Sequence, residues 1–498
     1  MKGLFTLSAL YLLFCFFTYT HFGITSDEYV EYQSGKALLH YYITGKEPTG
    51  FDISSRHLPK NSTYFRGHLA LTSFLNPLGS YELFHLYNML FALPVFLIFY
   101  LLLLFVYKNT KLASLGTFAL FFTPRFLGDI PANTKDVPFA VSFFVSLGFI
   151  YFFDKVKVNF FVKIITLGTL FGLTSSFRLL GVSLFIIHLL YSLKNSKLSV
   201  LRESFLVFFV SLAVLVISLP LFSEGILEGF KTLIQSASNF EYWDNKMLFL
   251  GEFISKNQRP WYYLPVWLVI TTPLYILIPF LLSPIALYLR KSKDNDLYVL
   301  MYFALLINFT LYLLIEPVIY NGLRHFLFLV PIISFISVLS LFDLLDCLKK
   351  YNVKIRYVFG MLLVFLFSLT VKSFITLHPY QYVYFNEVIN GLKGAQGRFD
   401  SDYWGTSYKA SSDWVQEKIA KTESVTVYSC DMAFAVNYYS QKLFQVVFVE
   451  ENADFILCDL DNALQKVYDL PILYKVERGG VPLNVVLDHR KFKPVSKQ

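Results

Sequence analysis

Two adjacent acidic residues, Asp27 and Glu28, follow the first apolar segment of the chain in the stretch 25-TSDEYVEY-32. A carboxylate at the edge of a membrane can act as a general base that takes a proton from a hydroxyl group. A simpler interpretation also fits, because Thr25 and Glu28 have the spacing of a helix capping box and Asp27 adds a favourable charge in the first turn. The stretch alone leaves both interpretations open.

Further ionisable residues lie on the same predicted side of the membrane. Lys135 and Asp136 are adjacent in the stretch 133-NTKDVPFA-140. Cations at the ends of other apolar segments on this side are Arg125, Arg178, Arg324 and His325. Ionisable groups near the membrane interior are unfavourable there and therefore suggest a functional site. Structural alternatives remain, because Lys135 and Asp136 could start a helix and the cations could extend toward the interface.

Acids and cations at one membrane face meet the requirements of glycosyl transfer from a phosphate. A carboxylate takes the proton from an acceptor hydroxyl as the hydroxyl attacks the anomeric carbon of the sugar. Cations stabilise the departing phosphate as its negative charge grows, and arginine suits this task because it binds phosphate through two parallel hydrogen bonds. The combination favours chemistry on a lipid-linked substrate.

The elements that hold these residues are predicted to be membrane-spanning helices. Of the 498 residues, 55% are hydrophobic and only 16% are charged, a composition that excludes an ordinary soluble protein. Apolar segments long enough to cross a bilayer recur along the first three quarters of the chain. Eleven are predicted, at residues 3–20, 82–106, 112–128, 137–153, 160–176, 178–193, 203–222, 264–289, 298–315, 325–342 and 357–374.

Positive charges in the loops set the predicted orientation. With the N-terminus inside, each of the five cytoplasmic loops carries Lys or Arg, as the positive-inside rule requires. The net charge of +8 is therefore explained by topology, and no nucleic-acid partner is expected. No small-residue cleavage site follows residues 3–20, so this segment is interpreted as a membrane anchor and not as a signal peptide. An odd number of spans places the tail outside the cytoplasm.

Three predicted external segments are long enough to carry function: residues 21–80, residues 223–263 and the tail 376–498. Apolar residues in the first of these recur at helical spacing, which indicates an amphipathic helix along the interface. The stretch 239–253 mixes aromatic and charged residues and is also interpreted as an interfacial helix.

The tail is predicted to form a small α/β domain. Its predicted elements are a helix at 411–423, a strand at 424–429, a helix at 432–441, strands at 444–450 and 454–459, and a hairpin of 472–478 with 481–489. Cys430 and Cys458 are either a disulfide, if the compartment is oxidising, or two buried thiols. Tyr403 and Trp404 could stack on an acceptor sugar or pack against the membrane core.

The chain resembles the glycosyltransferase C superfamily. The resemblance rests on the acidic pair after span one, on Asp136 before span four, and on a core of many spans followed by an external tail. Within the superfamily, the chain is most similar to the branch of protein O-mannosyltransferases and the lipid A aminoarabinose transferase. The stretches 133–140 and 379–409 resemble segments of bacterial members. The likeness in topology covers about residues 1–375, which are taken as the catalytic domain.

The resemblance implies roles for individual residues. Asp27 is the expected general base, Glu28 the neighbour that orients the acceptor or the base, and Asp136 the acid of the second external loop. Residues expected by location to bind the donor phosphate are Lys135, Arg125, Arg178, Arg324 and His325. Some members bind a divalent metal ion near the acids, which here would be Asp27 and Glu28, and others work without one. The sequence leaves metal dependence open.

The expected function is that of an integral membrane glycosyltransferase. The resemblance implies a polyprenyl-phosphate sugar as donor and a single displacement with inversion at the anomeric carbon. The acceptor hydroxyl belongs to a lipid, a glycan or a protein, and the active face lies outside the cytoplasm, in a bacterial inner membrane. The alternative is a lipid or oligosaccharide transporter, whose charged site would lie at mid-depth between two related halves.

Overall fold

The computed structural model describes residues 2–194, 199–238, 246–290, 295–351, 353–421, 423–459 and 469–491. A bundle of apolar helices is covered at one end by the long loops 21–80 and 223–263 and by the tail, which contains a small β-sheet. We call this end of the bundle the loop end. The predicted fold class, a polytopic helical protein with a small α/β tail, is confirmed.

The first 377 residues contain the helices of the bundle and of its long loops. In chain order, α1 to α18 are Lys2–Thr18, Glu28–Thr44, Gly67–Leu75, Tyr81–Phe91, Leu93–Tyr107, Thr110–Phe121, Pro124–Asp129, Asp136–Lys155, Phe160–Phe177, Ser183–Leu193, Ser199–Ser218, Ile226–Ser238, Tyr263–Thr271, Leu274–Leu281, Ser283–Leu289, Asp296–Ile315, Leu329–Tyr351 and Val353–Leu377.

Seven helical stretches among the described residues are long and apolar enough to cross a membrane. They are Tyr81–Tyr107, Asp136–Lys155, Phe160–Phe177, Leu201–Ser218, Asp296–Ile315, Leu329–Lys350 and Val353–Leu377. The four other predicted spans are also helical, but α1 has 17 residues, α6 has 12, and Leu179–Leu193 is likewise short. The predicted span 264–289 is divided into α13, α14 and α15.

Proline explains the divided span. Helix α13 ends at Thr271, Pro273 stands immediately before α14, and Pro284 occupies the first turn of α15. Because proline has no backbone N–H and fixes its own φ, it is accepted in a first helical turn but interrupts a continuing helix. Apolar composition alone does not reveal such breaks, which is why the sequence predicted one span here.

The described part of the stretch 239–253 is a hairpin, so the prediction of an interfacial helix is wrong there. Strands β1, Met247–Phe249, and β2, Glu252–Ile254, pair across a turn in which Leu250 and Gly251 have positive φ. Residues 239–245 lie outside the described residues. The amphipathic helix of this loop is α12, which precedes the stretch. In the first long loop, the predicted interfacial helix is α2.

The tail has the predicted α/β pattern. Its helices α19 to α21 are Gly391–Ala395, Tyr408–Val415 and Ala433–Tyr439. Its strands β3 to β7 are Thr426–Ser429, Gln445–Val447, Phe455–Asp459, Ile472–Arg478 and Val481–Asp488. The sheet has the order β4-β3-β5-β7-β6, in which β3 is parallel to β4 and β5, and β7 is antiparallel to β5 and β6. Cys430 and Cys458 form a disulfide beside the ends of β3 and β5.

The tail is packed tightly against the first long loop. A side chain at Gly23 would place its Cβ 2.1 Å from the carbonyl oxygen of Thr406, so only glycine permits this approach. The Tyr439 hydroxyl accepts a hydrogen bond of 2.7 Å from the backbone N–H of Ile24. Apolar residues of both parts form one core, which includes Tyr32, Leu69, Phe84, Tyr408, Val427, Val436 and Phe455. The tail therefore holds the residues that lead into α2.

Candidate active site

A cavity of about 1710 Å³ lies between the bundle and the tail. The bundle lines it with Lys135 before α8, Arg178 after α9, Ser183 at the start of α10, Ile315 at the end of α16 and Arg324 before α17. Since α8 and α9 run in opposite directions, as do α16 and α17, these positions all lie at the loop end. The cavity is therefore at one end of the bundle and not at the middle depth of its helices.

Asp27 lines this cavity directly before α2. Its carboxylate accepts a hydrogen bond of 2.8 Å from Nη2 of Arg324, and its side chain is 38% exposed. The tail fixes the adjacent backbone, because the N–H of Ser26 donates to the carbonyl of Trp404 at 3.1 Å. Burial alone would raise the pKa of the Asp27 carboxyl, but the charges of Arg324 and Lys135 outweigh it and hold the pKa below its usual value. Asp27 is thus an ionised, accessible carboxylate.

Asp136, the second predicted acid, lies at the start of α8 and is 1% exposed. Arg178 donates a hydrogen bond to its Oδ1, and Nε of Arg324 lies 3.6 Å from its Oδ2. Asn133 stabilises the helix start, because its Oδ1 accepts the N–H of Asp136 at 2.8 Å. Arg324 therefore lies between the acids of two separate sequence stretches.

Glu31 also lines the cavity and was not predicted as a site residue. Its carboxylate lies 2.7 Å from Nζ of Lys135 and 3.3 Å from Nε of Arg66, and it accepts a hydrogen bond of 2.7 Å from the Tyr64 hydroxyl. Burial opposes ionisation, but Lys135 and Arg66 together lower the pKa of Glu31. A sequence signal exists, because residues 27 and 31 lie one turn apart on the same face of α2.

We call these seven charged side chains the ionic cluster: the carboxylates Asp27, Glu31 and Asp136, and the cations Arg66, Lys135, Arg178 and Arg324. Four cations against three carboxylates leave an excess of one positive charge. The neighbouring His57 adds none, because burial and the charge of Arg66 lower its pKa to about 3. The ionic cluster is therefore suited to bind one monovalent anion such as a phosphodiester.

Glu28 lies outside this group, although it adjoins Asp27 in the sequence. It is fully buried, lies 2.8 Å from Nε2 of His85, and accepts a hydrogen bond of 2.6 Å from the N–H of Thr25. This is half of the predicted capping box, because the N–H of Glu28 donates to the backbone carbonyl of Thr25 at 3.2 Å and not to its hydroxyl. The two carboxylates face different partners, so the structure does not bring Asp27 and Glu28 together, and the described residues contain no group of three side chains that could hold a metal ion.

The remaining predicted phosphate ligands differ in position. His325 lines the cavity next to Arg324, with its ring 4.6 Å from that of Tyr320. Arg125 does not line it: the side chain is buried, with its guanidinium 5.2 Å from the ring of Trp267 and 5.3 Å from that of Phe385. Arg125 therefore supports the packing beneath the site.

The two predicted acceptor-binding aromatics are also separated. Tyr403 lines the cavity, whereas Trp404 is 2% exposed and packs in the core of the bundle near Tyr382. The ring of Trp404 lies 5.5 Å from the guanidinium of Arg324, a cation–π distance. Trp404 thus packs against Arg324 without lining the cavity itself.

The tail contributes an acidic wall that the sequence did not indicate. Four aspartates line the far side of the cavity: Asp400, Asp402, Asp431 and Asp459. Burial raises the pKa of Asp402 to about 8, against the hydrogen bonds that it accepts from the N–H groups of Thr406 and Ser407. The cavity therefore has a cationic side at the bundle and an acidic side at the tail.

No protein-family model and no curated protein sequence matches the chain. Solved structures do. A crystal structure of ArnT from Cupriavidus metallidurans bound to undecaprenyl phosphate aligns with a TM-score of 0.54 at 12% identity, covering 97% of each chain. The same protein in its apo state aligns with a TM-score of 0.54 at 13% identity, over 97% of this chain and 98% of that one.

The archaeal oligosaccharyltransferase AglB from Archaeoglobus fulgidus, in complex with an inhibitory peptide and a dolichol-phosphate, aligns with a TM-score of 0.50 at 11% identity. The alignment covers 92% of this chain and 69% of AglB. At such identities the likeness shows the fold. The chain is thus an integral, multi-pass membrane protein that shares the fold of ArnT and AglB.

Proposed function

We propose that this protein is a membrane glycosyltransferase that moves a sugar from a polyprenyl-phosphate carrier to an acceptor hydroxyl. The observation that carries the proposal is the convergence of an accessible carboxylate, Asp27, with phosphate-binding cations in one cavity. The fold adds support, since ArnT with this fold binds undecaprenyl phosphate and AglB binds a dolichol-phosphate.

The cavity lining matches both ends of such a donor. Lys135, Arg178 and Arg324 would bind the phosphate. Apolar side chains at the ends of α10 and α16, among them Ile186 and Leu311, line the same cavity and would contact the first prenyl units. The sugar would then lie toward Asp27, with the acceptor entering from the tail side.

The reaction is a single displacement with inversion. The acceptor oxygen forms a bond to the anomeric carbon while the bond from that carbon to the phosphate oxygen breaks, and its electron pair stays on the phosphate. Asp27 takes the hydroxyl proton as the new bond forms. Arg178 and Arg324 stabilise the negative charge that grows on the leaving phosphate. Because the leaving group is already an anion, the need for a general acid is small.

The transporter alternative is less compatible with the position of the site. Transporters hold their charged substrates near the middle of the bilayer, where access can alternate between sides. The ionic cluster instead lies at helix ends, below the tail. On the basis of the loop charges, we propose that this end lies outside the cytoplasm and that the protein is located in the bacterial inner membrane.

The test is transfer from radiolabelled polyprenyl-phosphate sugars in membranes that contain wild type, Asp27→Asn or Glu28→Gln. Asparagine preserves the size of Asp27 but cannot accept the proton, so transfer should fall by about 10²- to 10⁴-fold. Glu28→Gln alters the adjacent acid, which faces away from the cavity, and should keep most of the activity of the folded protein. Near-normal transfer by well-folded Asp27→Asn would refute the assignment of the base.

A further inference from the structure

The partner of the proposed base is also a proposed ligand of the donor. Arg324 uses Nη2 to contact Asp27 at 2.8 Å, and its Nε lies 3.6 Å from Asp136. Its side chain is 4% exposed and lies between the rings of Tyr320 and Trp404, 5.2 and 5.5 Å from its guanidinium. One cation thus has three potential partners: two carboxylates and the phosphate of the donor.

This arrangement conflicts with base catalysis by Asp27. A carboxylate that is paired with an arginine is stabilised in its charged form and is a weaker proton acceptor than a free one. The donor phosphate, for its part, needs the cations that the carboxylates already hold. Both requirements are met if the phosphate replaces Asp27 as a partner of Arg324.

On the basis of the proposed function, we infer that Arg324 releases Asp27 and binds the donor phosphate during the reaction, while Asp136 keeps Arg324 in place. Arg324 is then a positioning residue as well as a phosphate ligand. Asp27 gains its basicity only when the donor is bound, which imposes an order: donor first, acceptor second.

The geometry favours exchange at Asp27 over exchange at Asp136. The two acids contact different nitrogens of the guanidinium, Nη2 for Asp27 and Nε for Asp136, so one contact can open while the other persists. Asp27 is 38% exposed to the cavity and Asp136 only 1%, so an incoming phosphate meets the Asp27 side.

The other charged groups that face Asp27 do not compete for this role. They are Lys135 and Glu31, and these two are paired with each other at 2.7 Å. Lys135 is thus held by a buried carboxylate that the phosphate would not displace. Arg324 is left as the cation whose transfer changes the basicity of Asp27.

The experiment measures the protonation of Asp27 with undecaprenyl phosphate as the probe. A hydrophobic carbodiimide labels protonated carboxyl groups, and mass spectrometry of the full-length protein reports the pH midpoint for labelling of Asp27, with Asp27→Asn as the blank. Binding of the probe is measured in parallel. The comparison is between wild type, Arg324→Gln and Arg324→Lys, each with and without the probe.

In wild type, the probe should raise the midpoint of Asp27 by about 1–3 pH units, the range expected when an adjacent opposite charge is lost. In Arg324→Gln the midpoint should already be high, and the probe should raise it by less than half as much. If Arg324→Gln fails to fold, Arg324→Lys takes its place in the comparison. A single ammonium group cannot contact both Asp27 and Asp136, so the probe should again raise the labelling midpoint of Asp27 by less than in wild type.

An equal rise in wild type and variants would mean simple repulsion by the phosphate and would overturn the partner exchange. Bound probe with no rise in wild type would overturn it as well. Failure of undecaprenyl phosphate to bind at all is a separate result, which refutes the proposed donor class and with it the inference.

Discussion

Replacing Glu31 with Gln removes one negative charge from the ionic cluster and leaves the size of the side chain unchanged. Glu31 is 1% exposed and contacts Lys135 at 2.7 Å and Arg66 at 3.3 Å. Glutamine can still accept the hydrogen bond from Tyr64, but it cannot neutralise either cation. We therefore expect Glu31→Gln to fold with reduced stability.

The magnitude follows from the contact distances. At 2.7 Å and an effective dielectric constant of about 20, the attraction between Glu31 and Lys135 is about 6 kcal/mol before desolvation is subtracted. Breaking buried ion pairs by removing one partner destabilises proteins by about 3–5 kcal/mol. Lys135 retains some contact with water, so we expect the lower end of this range, about 3 kcal/mol.

Glu28→Gln is the matched control, because Glu28 is an equally buried acid on the same helix. Glu28 contacts His85 and the N–H of Thr25, whereas Glu31 is held by two cations, Lys135 and Arg66. The expected loss for Glu28→Gln is therefore about 1 kcal/mol, that of a hydrogen bond.

The assay is thermal unfolding of both purified variants in the same detergent, followed by tryptophan fluorescence. Undecaprenyl phosphate should stabilise Glu31→Gln more than it stabilises wild type, because its phosphate supplies the missing negative charge. It should give Glu28→Gln no such advantage. Equal destabilisation of the two variants, with an equal response to the probe, would refute the charge balance that we assign to the ionic cluster.

Two further predictions concern the tail and the orientation. Burial raises the pKa of Asp402 from 3.8 to about 8, so between these pH values the folded protein keeps a proton that the unfolded chain releases. The stability of wild type relative to Asp402→Asn should therefore fall between about pH 4 and pH 8 and then level off. Thermal unfolding across this pH range measures the difference, and a constant difference would contradict the raised pKa. Cys347 is a free thiol near the end of α17 opposite the loop end, so a membrane-impermeant maleimide should label it only after the membrane of intact cells is opened. Labelling of sealed cells would reverse the predicted orientation.

Much of the site followed from the positions of charges at the ends of apolar segments. Arg178 and Arg324 come from stretches far apart in the sequence, yet both contact Asp136. Alternating helices bring every second loop to the same side of a membrane, so topology alone predicted that these residues share one face, and their contacts with Asp136 agree with that placement. No structural detail beyond the topology was needed to expect these residues to lie near one another.

The division between Glu28 and Glu31 needed helical geometry in addition. Along an α-helix, residues 27 and 31 point in nearly the same direction, whereas residue 28 is rotated by about 100°. Once Asp27 faced the cavity, Glu31 was the acid expected beside it and Glu28 was not. Adjacency in the sequence had suggested that Glu28 lies beside Asp27 in the cavity, whereas the structure places Glu31 there.

The contribution of the tail had no comparable signal. The backbone carbonyl of Trp404 accepts a hydrogen bond from the N–H of Ser26, and its ring packs against Arg324, although both residues are distant from it in the sequence. Such contacts depend on how the tail packs against the rest of the protein. Neither the hydrophobic periodicity of the sequence nor the spacing of its motifs predicts that packing. The same reason hid the acidic wall, whose members come from the loop before α20 and from the ends of β3 and β5.

Charge balance connects the proposed reaction with the release of its product. The ionic cluster carries one excess positive charge, and a phosphodiester donor carries one negative charge, so the complex is neutral. Transfer leaves a phosphate monoester that approaches two negative charges, while Asp27 has gained a proton and the cluster has two positive charges in excess. The ionic cluster and its bound phosphate together therefore stay neutral through the reaction, which avoids creating an uncompensated charge among these buried side chains. When Asp27 then loses its proton, it competes again for Arg324 and weakens the hold on the product, so release of the proton favours release of the polyprenyl phosphate.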